Sequence, residues 1–184
     1  KTTVSFHFKG LRERFVCKDL ESPNKFKYLG GKSYSRKNEV DAYKVEWEGY
    51  FINYDIEALK KLNNPLPPIC NFIRPKIIFC QHAKRMLAYC DFKGEWITKD
   101  VYPIAFIKGT EDLRRTYYYT GFLNSNIFSY LYGIIYKGIQ ISEGYFHFLP
   151  AYLSVIPTPN ENESVIAKVS DAVERIQAVS YTHL

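Results

Sequence analysis

No two cysteines in this 184-residue chain are spaced as Cys-x-x-Cys. The four that exist, Cys17, Cys70, Cys80 and Cys90, stand apart, the last three ten residues from one another with His82 among them. A structural zinc site normally needs two tight pairs, because each turn presents two thiolates to one tetrahedral ion. The spacing therefore points away from zinc and toward buried, reduced thiols in a cytoplasmic protein, since Ile69, Phe79 and Tyr89 flank three of them. No stretch reaches the 18 or so apolar residues of a membrane span, and nothing resembles a signal peptide. There is no Gly-x-Ser-x-Gly elbow and no glycine loop suited to cradling phosphates. Carboxylates are missing where a nuclease would need them: Asp91-Phe92-Lys93 has no acidic partner back to Glu57. The histidines, His7, His82, His147 and His183, are scattered. These absences leave no catalytic site within the chain and favour a binding role.

Methionine occurs once, at Met86, so the chain is expected to be a fragment. Val179-Ser180-Tyr181-Thr182-His183-Leu184 looks like sequencing-adapter read-through, so residues 180–184 are expected to be an artefact rather than part of the fold.

What is present is apolar and basic. With 46% hydrophobic residues the chain can bury the core of one domain. The net charge of +6 is unevenly spread: 23 of the 25 Lys and Arg lie in residues 1–140, against 14 of the 19 Asp and Glu. Nine cations and three acids fall between Lys9 and Lys37. Positive potential concentrated on part of a domain suits a polyanion, because neutralising phosphates releases counterions.

The pattern of elements predicts an α+β domain of mixed small sheets, with a buried central helix and a C-terminal amphipathic helix. Tyr43–Tyr54 reads as two short strands around a turn at Glu48-Gly49. Asp55–Leu62 reads as a short helix ended by Asn63-Asn64-Pro65-Leu66-Pro67-Pro68. Lys76–Cys80, Met86–Asp91, Trp96–Thr98 and Val101–Ile107 read as strands, with a turn at Asp91–Gly94. Phe122–Tyr136 is too long and apolar for a typical strand and reads as a buried helix. Tyr145–Phe148 and Tyr152–Ile156 read as strands or extended pieces. Val165, Ile166, Val169, Ala172, Val173 and Ile176 form a stripe at helical spacing, capped by Asn162 or Ser164. Residues 1–160 are expected to form the main domain and 161–179 to begin a helical segment.

Three polar segments could touch nucleic acid. Lys32, Tyr34, Arg36 and Lys37 sit on a glycine-hinged loop that mixes cations with hydroxyls. Gln81, His82, Lys84 and Arg85 lie between two strands, where a turn can project into a groove. Lys137 and Gln140 follow the long helix. Lysines and hydroxyls suit phosphates, whereas arginine and amides can read base edges. Arg114-Arg115 is a weaker candidate for phosphates, and Tyr117-Tyr118-Tyr119 are expected to pack the core.

Several phrases, in order, carry a family resemblance. They are Lys27-Tyr28-Leu29-Gly30-Gly31-Lys32, Tyr54-Asp55, Pro75-Lys76-Ile77-Ile78, Gly121-Phe122-Leu123-Asn124-Ser125, Leu149-Pro150 and Ile156-Pro157-Thr158-Pro159. Over residues 24–160 the chain resembles the TaqI-like C-terminal specificity domain, the target-recognition half of bacterial restriction-modification adenine methyltransferases. The resemblance implies a module that selects a double-stranded DNA site. It also implies a partner, an N-terminal methyltransferase domain of the same parent chain, which would bind S-adenosylmethionine and flip and methylate adenine at N6. The catalytic motifs of that chemistry, a cofactor-binding glycine turn and Asn/Asp-Pro-Pro-aromatic, do not occur here; Asn64-Pro65-Leu66-Pro67-Pro68 is interrupted by leucine. The resemblance is compatible with a parent from a restriction-modification or a phage-exclusion system. The alternatives are a recognition domain of a type I restriction specificity subunit, or a stand-alone nuclease.

Overall fold

The computed structural model describes residues 15–18, 21–30, 38–55, 57, 68–99, 102–107, 112–141, 144–159 and 161–181. The helix expected over 55–62 and the connector at 63–67 lie essentially outside these residues. The fold is α+β, with four small sheets and four α-helices among the described residues.

The first sheet runs in the order β1 (Val16–Cys17), β5 (Phe51–Asn53), β2 (Lys25–Leu29), β9 (Trp96–Thr98). Its β2–β9 pair is parallel and its other pairs antiparallel. The second, fully antiparallel, is β10 (Ile104–Ala105), β6 (Lys76–Phe79), β8 (Ala88–Asp91). The third is β11 (Gln140–Ile141), β12 (Tyr145–His147), β7 (His82–Ala83), also antiparallel. A fourth pairs β3 (Val40–Asp41) with β4 (Lys44–Val45). The strands expected around Gly49 therefore exist but do not pair with each other: β4 joins β3, and β5 joins β1 and β2.

Every residue of β6 is buried, as its near-continuous apolar run requires of a strand covered on both faces. Its one charged member, Lys76, is paired across the ladder with Asp91, and its ammonium donates to both the Asp91 carboxylate and the Phe72 carbonyl. Asp91 also accepts from the backbone N–H of Glu95 and Trp96, at 3.0 and 3.1 Å, which closes the turn between β8 and β9. Burial drives Lys76 toward losing its proton and Asp91 toward keeping one; their mutual attraction opposes both tendencies. Gly94 in that turn has φ +67°, and a Cβ there would lie 2.4 Å from the backbone nitrogen of Arg74, so only glycine fits.

The long helix differs from expectation. It begins earlier, as α1 (Leu113–Asn124) capped by the Asp112 carboxylate, and breaks at Ser125. The Ser125 hydroxyl then caps α2 (Asn126–Ile135). The Phe122–Ser125 phrase thus closes one helix and opens the next. Only Phe128 and Tyr132 of α2 are buried; Ile127, Tyr130 and Ile134 line an exposed apolar face. Residues 152–156 are not a strand: Pro150–Leu153 forms the short helix α3, with proline at its favourable first position.

The last helix, α4 (Glu163–Tyr181), is capped by Asn162. It lies against α1 at Gly121, where a Cβ would come within 2.9 Å of Val169 and Val173. Its buried stripe is Ile166, Ser170, Val173 and Gln177, whereas Val165 and Ile176 of the expected stripe are exposed. Gln177 donates to the carbonyl of Cys90 and accepts from its N–H, both at 3.0 Å. Asn124 of α1 does the same to Ala88, at 2.8 and 2.9 Å. Two side-chain amides thereby satisfy the open edge of β8, as a further strand would.

Candidate nucleic-acid interface

After β6 the chain makes an excursion. Phe79 pairs with Ala88, and the Cys80 N–H donates to the Leu87 carbonyl at 2.9 Å, so residues 81–86 project beyond a closed base. The projecting segment attaches to a different sheet: the Phe148 N–H donates to the Gln81 carbonyl at 2.8 Å, and β7 pairs with β12. Ala83 and Met86 are buried and anchor it, while His82, Lys84 and Arg85 are exposed and Gln81 is half-buried.

The period of two then fixes a face. His82 opposes His147, and the same register brings Lys84 to Tyr145, whose ring lies 5.4 Å from the ammonium. On the third strand Gln140 pairs with Phe146, and exposed Lys137 sits in the 3-10 turn leading into it. The Gln81–Arg85 and Lys137–Gln140 segments, 52 residues apart at their nearest, therefore converge on one small sheet. The side chain of Gln140 and the whole loop of Lys32, Tyr34, Arg36 and Lys37 lie outside the described residues.

The convergence also brings in two residues not singled out from the sequence, Tyr145 and His147. The alternation Tyr145-Phe146-His147-Phe148, with Phe146 and Phe148 buried, was the signal that both share the outer face. The His82 and His147 rings lie 4.4 Å apart. Burial, and then the facing His147, hold His82 below the ordinary histidine range. Among the described residues no ion pair engages Lys84 or Arg85. A cationic, hydrogen-bonding face without neutralising carboxylates can accept phosphates, and Tyr145 offers a ring for stacking.

Other candidates are otherwise employed. Arg115 is held by Asp112, Glu161 and Glu163, which tie the start of α1 to the start of α4. Tyr117 and Tyr118 are buried, as expected. The Asp91-Phe92-Lys93 motif cannot hold Mg²⁺, because the Asp91 carboxylate is buried and engaged by Lys76 and two backbone N–H groups. All four cysteines are free thiols; Cys80 and Cys90 are buried, but Cys17 is half-buried and Cys70 is exposed, in a turn ahead of β6. Burial pushes the Cys80 thiol up to about 11. No group of three or more metal-ligating side chains occurs among the described residues. A groove of about 590 Å³ is lined by Phe106, Phe122, Phe128 and Ile156 and, among the described residues, has no Lys or Arg to meet a phosphate.

The family model of the TaqI-like C-terminal specificity domain matches residues 32–158. The chain belongs to that family. A TaqI-like specificity domain is the DNA sequence-specificity module of restriction-modification methyltransferases. Both sheet-forming segments at the cationic face fall within the matched residues, as do β6, β8, α1 and α2. No curated protein matches the chain. Among the described residues no helix is long and apolar enough to cross a membrane.

Proposed function

We propose that this TaqI-like domain selects the target site of a cytoplasmic adenine-N6 DNA methyltransferase in a restriction-modification or phage-exclusion system. It binds double-stranded DNA through the β7–β12–β11 face, with Lys84 and Lys137 on phosphates and Gln81, Arg85 and Gln140 near base edges. Lys32, Tyr34, Arg36 and Lys37 also contact DNA in the same reading. The observation that carries it is the convergence of two polar segments on one exposed sheet whose cations have no acidic partner among the described residues. An N-terminal methyltransferase domain of the parent chain holds S-adenosylmethionine and carries out base flipping and transfer. The type I alternative calls for a helix that leads out to a second recognition domain. Here α4 is instead occupied with its own domain, through Gln177 on β8 and Val169 over Gly121.

Fluorescence anisotropy of the purified chain with a labelled duplex tests the DNA face. Affinity is expected to fall roughly tenfold between 50 and 200 mM salt if two phosphates are neutralised, and more steeply with more contacts. Salt-independent binding would remove the electrostatic basis of the assignment. For the parent enzyme, nucleoside mass spectrometry of DNA from expressing cells is expected to reveal N6-methyladenine; a different methylated base would overturn the adenine-N6 reading.

A further inference from the structure

His82 and His147 are cross-strand partners with ring planes 30° from parallel. His82 is exposed, whereas His147 is half-buried, with its Nε2 covered and lacking a hydrogen-bond partner. Among the described residues, the titratable groups that face the pair are neutral or cationic, and the carboxylate that acts on this cluster, Asp41, is felt by the Cys80 thiol. From the β7 side come the Cys80 thiol, which donates to the His82 carbonyl at 3.2 Å, together with Lys84 and Arg85. From β12 comes Tyr145, beneath Lys84. From α2 comes Tyr132, whose hydroxyl donates to the His147 carbonyl at 2.7 Å. Two stacked imidazoles repel when both are charged, and no carboxylate is paired with either ring among the described residues. Bound DNA can supply the anion that the described residues do not.

We propose that His82 and His147 form a proton-linked phosphate contact, in which bound DNA draws one proton onto His82 and His147 is the positioning residue that sets the pH at which this happens. The proposal rests on the assignment of this sheet as the DNA face. A phosphate beside the exposed ring stabilises the imidazolium and raises its pKa in the complex. In the free domain, partial desolvation of this largely exposed ring and the facing His147 keep His82 below the ordinary range, which widens the gap between free and bound states. The sign follows from linkage: the complex binds more protons than the free domain between the two pKa values. Affinity therefore rises as pH falls through the bound-state value and levels off below the free-state value. One proton gives a slope of up to tenfold per pH unit within that window.

The 184-residue chain would be titrated with a fluorescein-labelled mixed-sequence duplex from pH 5.5 to 8.5 at fixed low ionic strength. Wild type is expected to bind about three- to tenfold more tightly at the acid end, and His82→Asn to lose that gain. His147→Asn removes the repelling neighbour, so the rise is expected to move to higher pH. Ring-proton NMR of His82 in the unmodified chain gives an independent reading, with its midpoint rising by half a pH unit or more when duplex is added. A pH-independent Kd, a slope that survives His82→Asn, or a His82 midpoint unmoved by DNA would each overturn the proposal. Absence of duplex binding at every pH would instead overturn the assignment of the DNA face, and the proposal with it.

Discussion

Lys76 and Lys84 lie on the same short stretch of chain, yet the two have opposite fates. Lys76, in the middle of a covered sheet, is fully buried and spends its charge on Asp91 and the Phe72 carbonyl. Lys84, on the segment that leaves that sheet, is exposed over Tyr145 and has no acidic partner among the described residues. The contrast extends to their surroundings. The β6–β8 region satisfies its polar groups internally, down to the β8 edge, which Asn124 and Gln177 close. The β7–β12 face leaves its cations and imidazoles without a carboxylate partner among the described residues. Internal satisfaction marks scaffold, and an unneutralised charged face marks a place for a ligand.

The largest effect that would sharpen this contrast is on Lys76. Lys76→Met strands a buried carboxylate and is expected to destabilise the domain by about 3–5 kcal/mol, whereas Lys84→Met should stay within about 0.5 kcal/mol. Urea unfolding of both variants measures the difference, and equal losses would dissolve the distinction. Next comes α2, which divides the same way across its two faces. Phe128→Ala is expected to cost about 3–5 kcal/mol through a core cavity, half-buried Leu131→Ala distinctly less, and exposed Tyr130→Ala close to nothing. Thermal unfolding of the three would order them.

Asn124→Ala leaves the buried Ala88 N–H unsatisfied, while the Ala88 carbonyl keeps the Tyr43 N–H at 2.9 Å, and Gln177→Ala leaves both the N–H and the carbonyl of Cys90 without their side-chain partner, each at a cost of about 1–3 kcal/mol. Hydrogen exchange should accelerate at Ala88 in the first and at Cys90 in the second; unchanged protection would show that the edge is closed by something else. Smaller still in stability, but decisive for binding, are Lys84→Ala and Arg85→Ala. Folding should be nearly untouched, while a lost phosphate contact should reduce the slope of log K against log salt by about 0.9. Should Arg85 read a guanine instead, its loss would cost about 1–3 kcal/mol at one base pair. Methylation-site profiling in the parent enzyme would distinguish the two roles.

The smallest effect concerns the clamp between α1 and α4. The Tyr119 hydroxyl, and then Arg115, hold the Glu161 carboxyl below the usual carboxylate range. A carboxyl depressed in the folded state contributes stability above its unfolded pKa and loses it as pH falls through the folded value. The melting-temperature gap between wild type and Glu161→Gln should therefore be small at pH 7 and close on acidification below the ordinary glutamate range. A gap that widened in acid would contradict the sign.

Much of this organisation was legible in residue patterns. The four-residue buried run of β6, the limits of β9 and the α4 cap at Asn162 follow from local rules of alternation and capping. The short strands of the second and third sheets were harder to bound, because two residues carry too little periodicity; β10 keeps only Ile104–Ala105 of an expected seven. The break at Ser125 was misjudged because hydrophobicity runs through it, while the serine's capping of α2 depends on a hydroxyl. In α4 the buried stripe contains Ser170 and Gln177, whose burial a hydrophobic stripe cannot announce.

The sequence by itself determined the α+β class, the basic surplus, the family and, among the described residues, the exposed cations Lys84, Arg85 and Lys137, because each rests on composition, local pattern or matched motifs. Tertiary structure alone decided which lysine would be silenced by a carboxylate and which polar segments would meet. Pairing β7 with β12 rather than with its sequence neighbours is a long-range event, set by how Ala83, Met86, Phe146 and Phe148 bury together. That burial carries His82 to His147 and Lys84 to Tyr145, across more than sixty residues of chain whose local patterns are indifferent to the meeting.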